Sequence, residues 1–256
     1  MSIDELKKVL VEDTEDMHIK GDKKQPRKGV FLLPNLFTTA ALFSGFYSII
    51  AAMNGDFSGA AVAIFISMVF DALDGRVARL THTQSAFGAE YDSLSDMVSF
   101  GIAPALIVFT WALEPLEKIG WITAFVYAVG AALRLARFNT MIGVEEKRYF
   151  TGLPSPAAAA IVAGVIWAAS EHGMSGESLS IVMAFLLPIA GLLMVSNVKY
   201  RSFKDLNLKG RVPFMVLLLS VLIFVLIALE PSLVLMVLFC IYGLWGPAAI
   251  FIKGLR

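Results

Sequence analysis

The chain has 256 residues, 57% of them hydrophobic and only 16% charged, with a mean hydropathy of +0.74. A water-soluble domain of this size could hardly cover that apolar content with polar surface, so the composition places the chain in a bilayer. The zero formal net charge argues against a nucleic-acid partner, and the single cysteine, Cys240, excludes an intramolecular disulfide and a cysteine-rich metal site.

Residues 1–30 are polar, with an acidic patch (Glu12, Asp13, Glu15, Asp16) followed by a basic one (Lys20, Lys23, Lys24, Arg27, Lys28). No apolar core follows a short basic start, so this is not a cleavable signal peptide. A short amphipathic helix around Ile3–Val11 and a disordered tail account for it equally well. From Leu32 onward come eight apolar segments, near 33–53, 57–80, 92–113, 119–139, 154–170, 178–196, 212–229 and 231–252. Each has roughly the 17–25 residues that a helix needs to cross a ~30 Å hydrocarbon core. The expected fold is an all-α polytopic membrane protein of about eight transmembrane helices: an N-terminal extension over 1–30 and one membrane catalytic domain over 31–256.

Lysine and arginine stay on the cytoplasmic side of short loops. Seven lie in the tail, and others at Arg76 and Arg79, at Arg134, Arg137, Lys147 and Arg148, between Lys199 and Arg211, and at Lys253 and Arg256. That places 20 of the 21 basic residues on one face, with only Lys118 opposite. Both termini are therefore expected in the cytoplasm. The opposite loops carry Asp56, Glu114, Glu117, Glu171, Glu177 and Glu230, and Trp111, Trp121 and Trp167 fall near that outer boundary.

The second segment contains Asp71-Ala72-Leu73-Asp74-Gly75-Arg76-Val77-Ala78-Arg79, and the third opens with Gly88-Ala89-Glu90-Tyr91-Asp92-Ser93-Leu94-Ser95-Asp96. At about 100° per residue, Asp74, Gly75, Ala78 and Arg79 all fall within about 80° of Asp71 on the helix surface. Asp92 and Asp96 stack one turn apart on the next helix. The short polar turn between the helices makes them antiparallel neighbours, so the two acidic faces converge. One intramembrane aspartate beside an arginine is a common structural ion pair, but four in this arrangement need stronger compensation. Each carboxylate costs ~2.5–3.5 kcal/mol at mid-membrane depth, before mutual repulsion is counted. One or two hard divalent cations supply that compensation, magnesium or manganese and less specifically calcium. Such ions suit cleavage of a phosphoanhydride, with a carboxylate taking the proton of an acceptor hydroxyl.

The pattern Asp71-x-x-Asp74-Gly75-x-x-Ala78-Arg79, eight residues, then Gly88-x-x-x-Asp92-x-x-x-Asp96 resembles the complete signature of the CDP-alcohol phosphotransferase family. The resemblance implies that the four aspartates hold two divalent cations that bind the pyrophosphate of a CDP-linked donor. It also makes Asp96 the catalytic base, lets the nucleotide approach Gly75, Ala78 and Gly88, and sets Arg79 against phosphate. Upstream, Pro34-Asn35-Leu36-Phe37-Thr38 resembles the Pro-Asn-x-x-Thr start common in the family. Asn35 and Thr38 are thus candidates for the donor nucleotide, although a helix cap explains them as well.

Arg134-Leu135-Ala136-Arg137-Phe138-Asn139 and Phe150-Thr151-Gly152-Leu153-Pro154-Ser155-Pro156 are similar to segments of the phosphatidylserine synthase branch, whose members use CDP-diacylglycerol and L-serine and release CMP. Arginine can grip the carboxylate of an amino-acid acceptor bidentately. Arg134 and Arg137 are therefore the expected serine ligands, with Asn139 and Ser155 as further polar candidates. Positive-inside anchoring is the competing explanation of the arginines, and synthases for choline or archaeal lipids share part of the pattern. Other acceptors within the family are glycerol 3-phosphate and inositol phosphate. The resemblance further implies a homodimer in the cell (inner) membrane with its active site facing the cytoplasm. A transporter is disfavoured because the aspartates cluster near one face and inverted halves are not evident.

The charge pattern yields a topology test. Single cysteines in the 199–211 loop should resist a membrane-impermeant thiol reagent applied from outside, while cysteines at 114–118 should react. The opposite labelling would overturn both the topology and the cytoplasmic site.

Overall fold

The computed structural model describes residues 32–140, 149–201 and 214–254. The expected N-terminal extension, Lys147, Arg148 and the basic residues at 204–211 lie outside the described residues. Helix dominates because a backbone surrounded by lipid must satisfy its polar groups within its own segment.

Helices α1 (Leu32–Met53) and α2 (Phe57–Thr81) form the first hairpin. Asp56 caps α2, its carboxylate accepting from the Gly59 amide at 2.8 Å. The helix ends at His82, which adopts a left-handed conformation with φ of 54° and closes the last turn through the Ala78 carbonyl. Ser85 then starts α3 (Ala86–Asp96), its hydroxyl accepting from the Gly88 amide at 3.0 Å. The third helix thus starts at Ala86, ahead of the apolar segment that begins near 92. The cap places Glu90 within the helix, as the helical spacing of the motif from Gly88 to Asp96 requires.

From Asp96 the rod continues through a π-helical turn (Met97–Ile102), α4 (Ala103–Val108), a second π-helical turn (Phe109–Leu113) and a 3-10 turn (Glu114–Leu116). A π turn leaves backbone carbonyls out of the regular ladder. The buried Tyr127 hydroxyl donates to one of them, Phe100, at 3.0 Å. At Glu117, φ of 46° turns the chain back into α5 (Glu117–Thr140). Gly120 permits this return, since a methyl group there would collide with the Leu113 carbonyl.

The remaining helices are α6 (Ser155–Glu171), α7 (Ser180–Val195), α8 (Phe214–Leu229) and α9 (Pro231–Gly254). Alanine-rich α6 is the central post, packed against α2, α7 and α9, with Ala157 to Ala160 all buried. Small residues let helices approach where lipid provides no hydrophobic drive. The same device operates between α5 and α7, where a methyl on Gly130 would fall 2.5 Å from the Gly191 carbonyl oxygen. Every side chain of α8 is at least partly exposed, as expected of a helix in lipid.

Among the described residues, five helical stretches are long and apolar enough to cross a membrane: Leu32–Met53, Phe57–Thr81, Ala86–Thr140, Gly176–Val195 and Pro231–Ala249. The third is the rod and α5 together, folded at Glu117. Ser155–Glu171 and Phe214–Leu229 are apolar but shorter, at 17 and 16 residues.

Two features depart from expectation. Strands β1 (Tyr149–Thr151) and β2 (Lys199–Arg201) pair antiparallel, with Phe150 opposite Tyr200. This ribbon joins the start of α6 to the end of α7 and is pinned by the buried Tyr200, whose hydroxyl donates to the Gly243 carbonyl at 3.0 Å. Three-residue strands are too short to leave a periodic signal. Trp111, expected at the outer interface, is instead buried, because the 3-10 turn Gly176–Leu179 folds over its backbone and ring.

Candidate active site

The site is built on α2 and α3, with α1 as a strut. Asp71 and Asp74 on α2 and Asp92 on α3 each present a carboxylate oxygen, and the three oxygens lie within 4.8 Å of one another. Opposite ligands of a cation held by bonds of 2.1–2.4 Å are about 4.2–4.8 Å apart, so these carboxylates fit a hard divalent ion. A side-chain hydrogen bond joins Asp96 to Asp71, and Arg134 of α5 is near enough to act on the Asp96 carboxylate electrostatically. Asp96 is therefore under the influence of both the acidic cluster and an arginine.

Residues of α1 hold this arrangement. The buried Thr38 hydroxyl donates to Asp74 Oδ2 at 2.8 Å, while the Thr38 carbonyl accepts from the Ser95 hydroxyl at 3.2 Å. Thr38 is a candidate nucleotide contact by sequence; its hydroxyl faces the acidic helix here. Further into the bundle the Ala41 carbonyl accepts from Ser67 of α2 at 2.8 Å and from Ser99 at 3.2 Å. Asn35 faces Gly88: a methyl on that glycine would lie 3.5 Å from Asn35 Oδ1. Thr39, one turn beyond Asn35, has its hydroxyl 2.9 Å from that of Tyr91. Arg79 folds back over Gly75, where a methyl would meet its Nη1 at 3.5 Å, and Ala78 lies one turn before the end of the same helix.

The candidate acceptor residues gather on the other side of the site. Arg134 Nη1 donates to Ser155 Oγ at 2.5 Å, at the start of α6. Arg137 donates to Asn197 Oδ1 at 2.8 Å and to the Val195 carbonyl at 3.3 Å. Both arginines line a small pocket together with Phe138, Phe150 and Thr151 of the ribbon. Asn139 is turned toward α3, its Nδ2 donating to Ser93 Oγ at 3.0 Å. Sequence reasoning does not single out Asn197, Ser93 or the pocket-lining Phe150 and Thr151. Phe150 and Thr151 do belong to the segment 150–156 that resembles the synthase branch, whereas nothing local marks Ser93 or Asn197 as a partner of α5.

A membrane-embedded helical bundle with a carboxylate cluster on two adjacent helices defines a class, and the chain belongs to it: the CDP-alcohol phosphatidyltransferase family, whose sequence profile matches residues 31–245. Among its relatives, the chain is similar to the CDP-diacylglycerol–serine O-phosphatidyltransferase of Helicobacter pylori (strain ATCC 700392 / 26695), 37% identical over 220 residues that cover 86% of this chain and 92% of the relative. It is also similar to the protein of that name from Mycobacterium tuberculosis (strain ATCC 25618 / H37Rv), 33% identical over 183 residues, 69% of this chain and 64% of the relative. The archaetidylserine synthase of Methanothermobacter thermautotrophicus is 33% identical over 170 residues, covering 66% and 69%.

Asp71→Asn, Asp74→Asn or Asp92→Asn should each weaken Mn2+ binding to the detergent-solubilised protein by at least about ten-fold, and Thr38→Val should do so by about 10–100-fold through loss of orientation. Electron paramagnetic resonance of free Mn2+ measures this without turnover. Unchanged affinity in the aspartate variants, with helicity retained, would remove the cluster as a metal site.

Proposed function

We propose that this chain transfers the phosphatidyl group of CDP-diacylglycerol to the hydroxyl of L-serine, giving phosphatidylserine and CMP. The observation that carries the reading is that Asp96 is linked to both groups, by a side-chain hydrogen bond to Asp71 of the carboxylate cluster and by the charge of Arg134 acting on its carboxylate. A donor phosphate at the cluster and an amino acid at the arginines would meet at that carboxylate. The names of the relatives support the same acceptor.

Two divalent cations, Mg2+ or Mn2+, held by Asp71, Asp74, Asp92 and Asp96 would neutralise charge on the transferring and leaving phosphates. Asn35, Gly75, Ala78, Arg79 and Gly88 line the donor side, the glycines admitting the nucleotide and Arg79 meeting phosphate. Arg134 and Arg137 hold the serine carboxylate, with Ser155 orienting Arg134 and Asn197 orienting Arg137. Asp96 takes the proton from the serine hydroxyl as its oxygen bonds to the phosphatidyl phosphorus. The bond from that phosphorus to the bridging oxygen breaks, and CMP leaves with the electron pair. Eight crossings, with the rod and α5 counted separately and α6 and α8 as short spans, would leave both termini on one side, and the bias of lysine and arginine makes that side, with the site, the cytoplasm. The catalytic domain spans 31–256 with 1–30 as an extension, and the enzyme works as a homodimer in the inner membrane.

Asp96→Asn should lower kcat by about 10²–10⁴-fold, the range lost with a general base. Its binding of CDP-diacylglycerol should persist; near-normal turnover would remove Asp96 as the base.

Acceptor competition in a CMP-release assay tests the substrate. A site built on a charged hydrogen bond rejects analogues lacking that charge by about 10⁴-fold or more. Ethanolamine, which is serine without the carboxylate, should be a very poor acceptor. Arg134→Ala or Arg137→Ala should raise the KM for serine far more than that for CDP-diacylglycerol. Equal turnover of serine and ethanolamine, or faster turnover with glycerol 3-phosphate, would refute the serine assignment.

A further inference from the structure

Helices α3 and α5 carry the two halves of the proposed chemistry, yet their backbones hardly touch. Beyond the end of α3 the π-helical turn of the rod meets α5, where a methyl on Gly101 would lie 3.1 Å from Ala131 Cβ and where Tyr127 holds the Phe100 carbonyl. From that contact both helices run toward their open ends at Ala86 and Thr140. Ser93 on α3 is eight residues before Gly101, across the π-helical turn, and Asn139 is eight residues after Ala131 on α5. At this matched sequence separation the two side chains close the gap. Asp96 and Arg134 both lie between the anchor and this bridge.

The hydrogen bonding at the bridge has a definite direction. Ser93 Oγ lies 3.0 Å from the Ala89 carbonyl, 3.2 Å from Asn139 Oδ1 and 3.0 Å from Asn139 Nδ2. A hydroxyl has one proton, and the helical Ala89 carbonyl is the nearer acceptor. The Ser93 lone pairs then receive the Asn139 amide, which commits Asn139 to α3.

We propose that the Ser93–Asn139 hydrogen bond is a clasp that sets the separation of Asp96 and Arg134, making Asn139 a positioning residue for phosphatidyl transfer and not a contact of the acceptor. The inference rests on the reading of Asp96 as base and Arg134 as acceptor ligand. With the rod and α5 packed together around Gly101, Ala131 and Tyr127, loss of the clasp lets their open ends part. A shift of 1 Å between reacting groups can cost about 10²-fold in rate.

The test is a double-mutant cycle of Ser93→Ala and Asn139→Ala, read in CMP release with the acceptor that the wild type prefers. Each single variant should lower kcat about 10–100-fold, with the KM for acceptor and for CDP-diacylglycerol each changing less than about three-fold. The double variant should be no worse than the poorer single one, because both remove the same bond. Ser93→Thr, which keeps the hydroxyl, should retain most of the turnover, and this comparison decides the matter if Asn139→Ala does not fold. Additive losses, or equal losses in Ser93→Ala and Ser93→Thr, would overturn the clasp. So would an Asn139→Ala variant with raised serine KM beside a silent Ser93→Ala, an outcome that makes Asn139 a direct acceptor contact and leaves the serine reading intact. A wild type that prefers another alcohol refutes the serine reading, while the cycle run with that alcohol still decides the clasp.

Discussion

Carboxylates inside an apolar bundle are the constraint on which the rest of this structure depends. Each costs ~2.5–3.5 kcal/mol at mid-membrane depth even on lenient scales, and neighbours of like charge raise the cost further. The fold gathers the acidic groups instead of scattering them. Three carboxylate oxygens converge within 4.8 Å and Asp96 is tied to Asp71, so that a cation can compensate several charges at once.

Gathering them requires helices that approach closely and hold their register. Side-chain hydroxyls do much of this: Thr38, Ser67, Ser95 and Ser99 each tie α1 to α2 or to the rod. Their backbone and carboxylate partners are buried with them, which makes each bond costly to break. The surroundings of the arginines are assembled differently. Arg134 is braced by Ser155, Arg137 by Asn197 and Val195, and the ribbon of β1 and β2 covers them with Phe150 and Thr151. The two parts are unlike in construction, one a tight acidic seam and the other a pair of braced arginines beside a ribbon.

Much of the site is legible in the amino-acid sequence because its signals are local. The spacing of Asp71, Asp74, Asp92 and Asp96 follows the helical period, and the turn after Thr81 is short enough to force adjacency of the two faces. The exact start of α3 at Ala86 is less legible, since it is set by the Ser85 cap and not by the apolar count, which begins near 92. The inward burial of Trp111 and the ribbon at Phe150 and Tyr200 are not legible either. Both depend on segments distant in sequence folding over them.

By itself the sequence determined the membrane class, the acidic motif on two neighbouring helices, the family, and the arginine-bearing segment that points to an amino-acid acceptor. Each of these is a matter of composition, of period, or of spacing within some thirty residues or fewer. Only the tertiary structure decided that Thr38 faces Asp74, that Asp96 bonds to Asp71 within reach of the charge of Arg134, and that Asn139 reaches across to Ser93. Those pairings depend on how far apart α1, α3 and α5 stand and where they diverge. Helix separation is set by glycine and alanine contacts such as Gly101 with Ala131 and Gly130 with Gly191, which are contacts between segments that no local pattern connects.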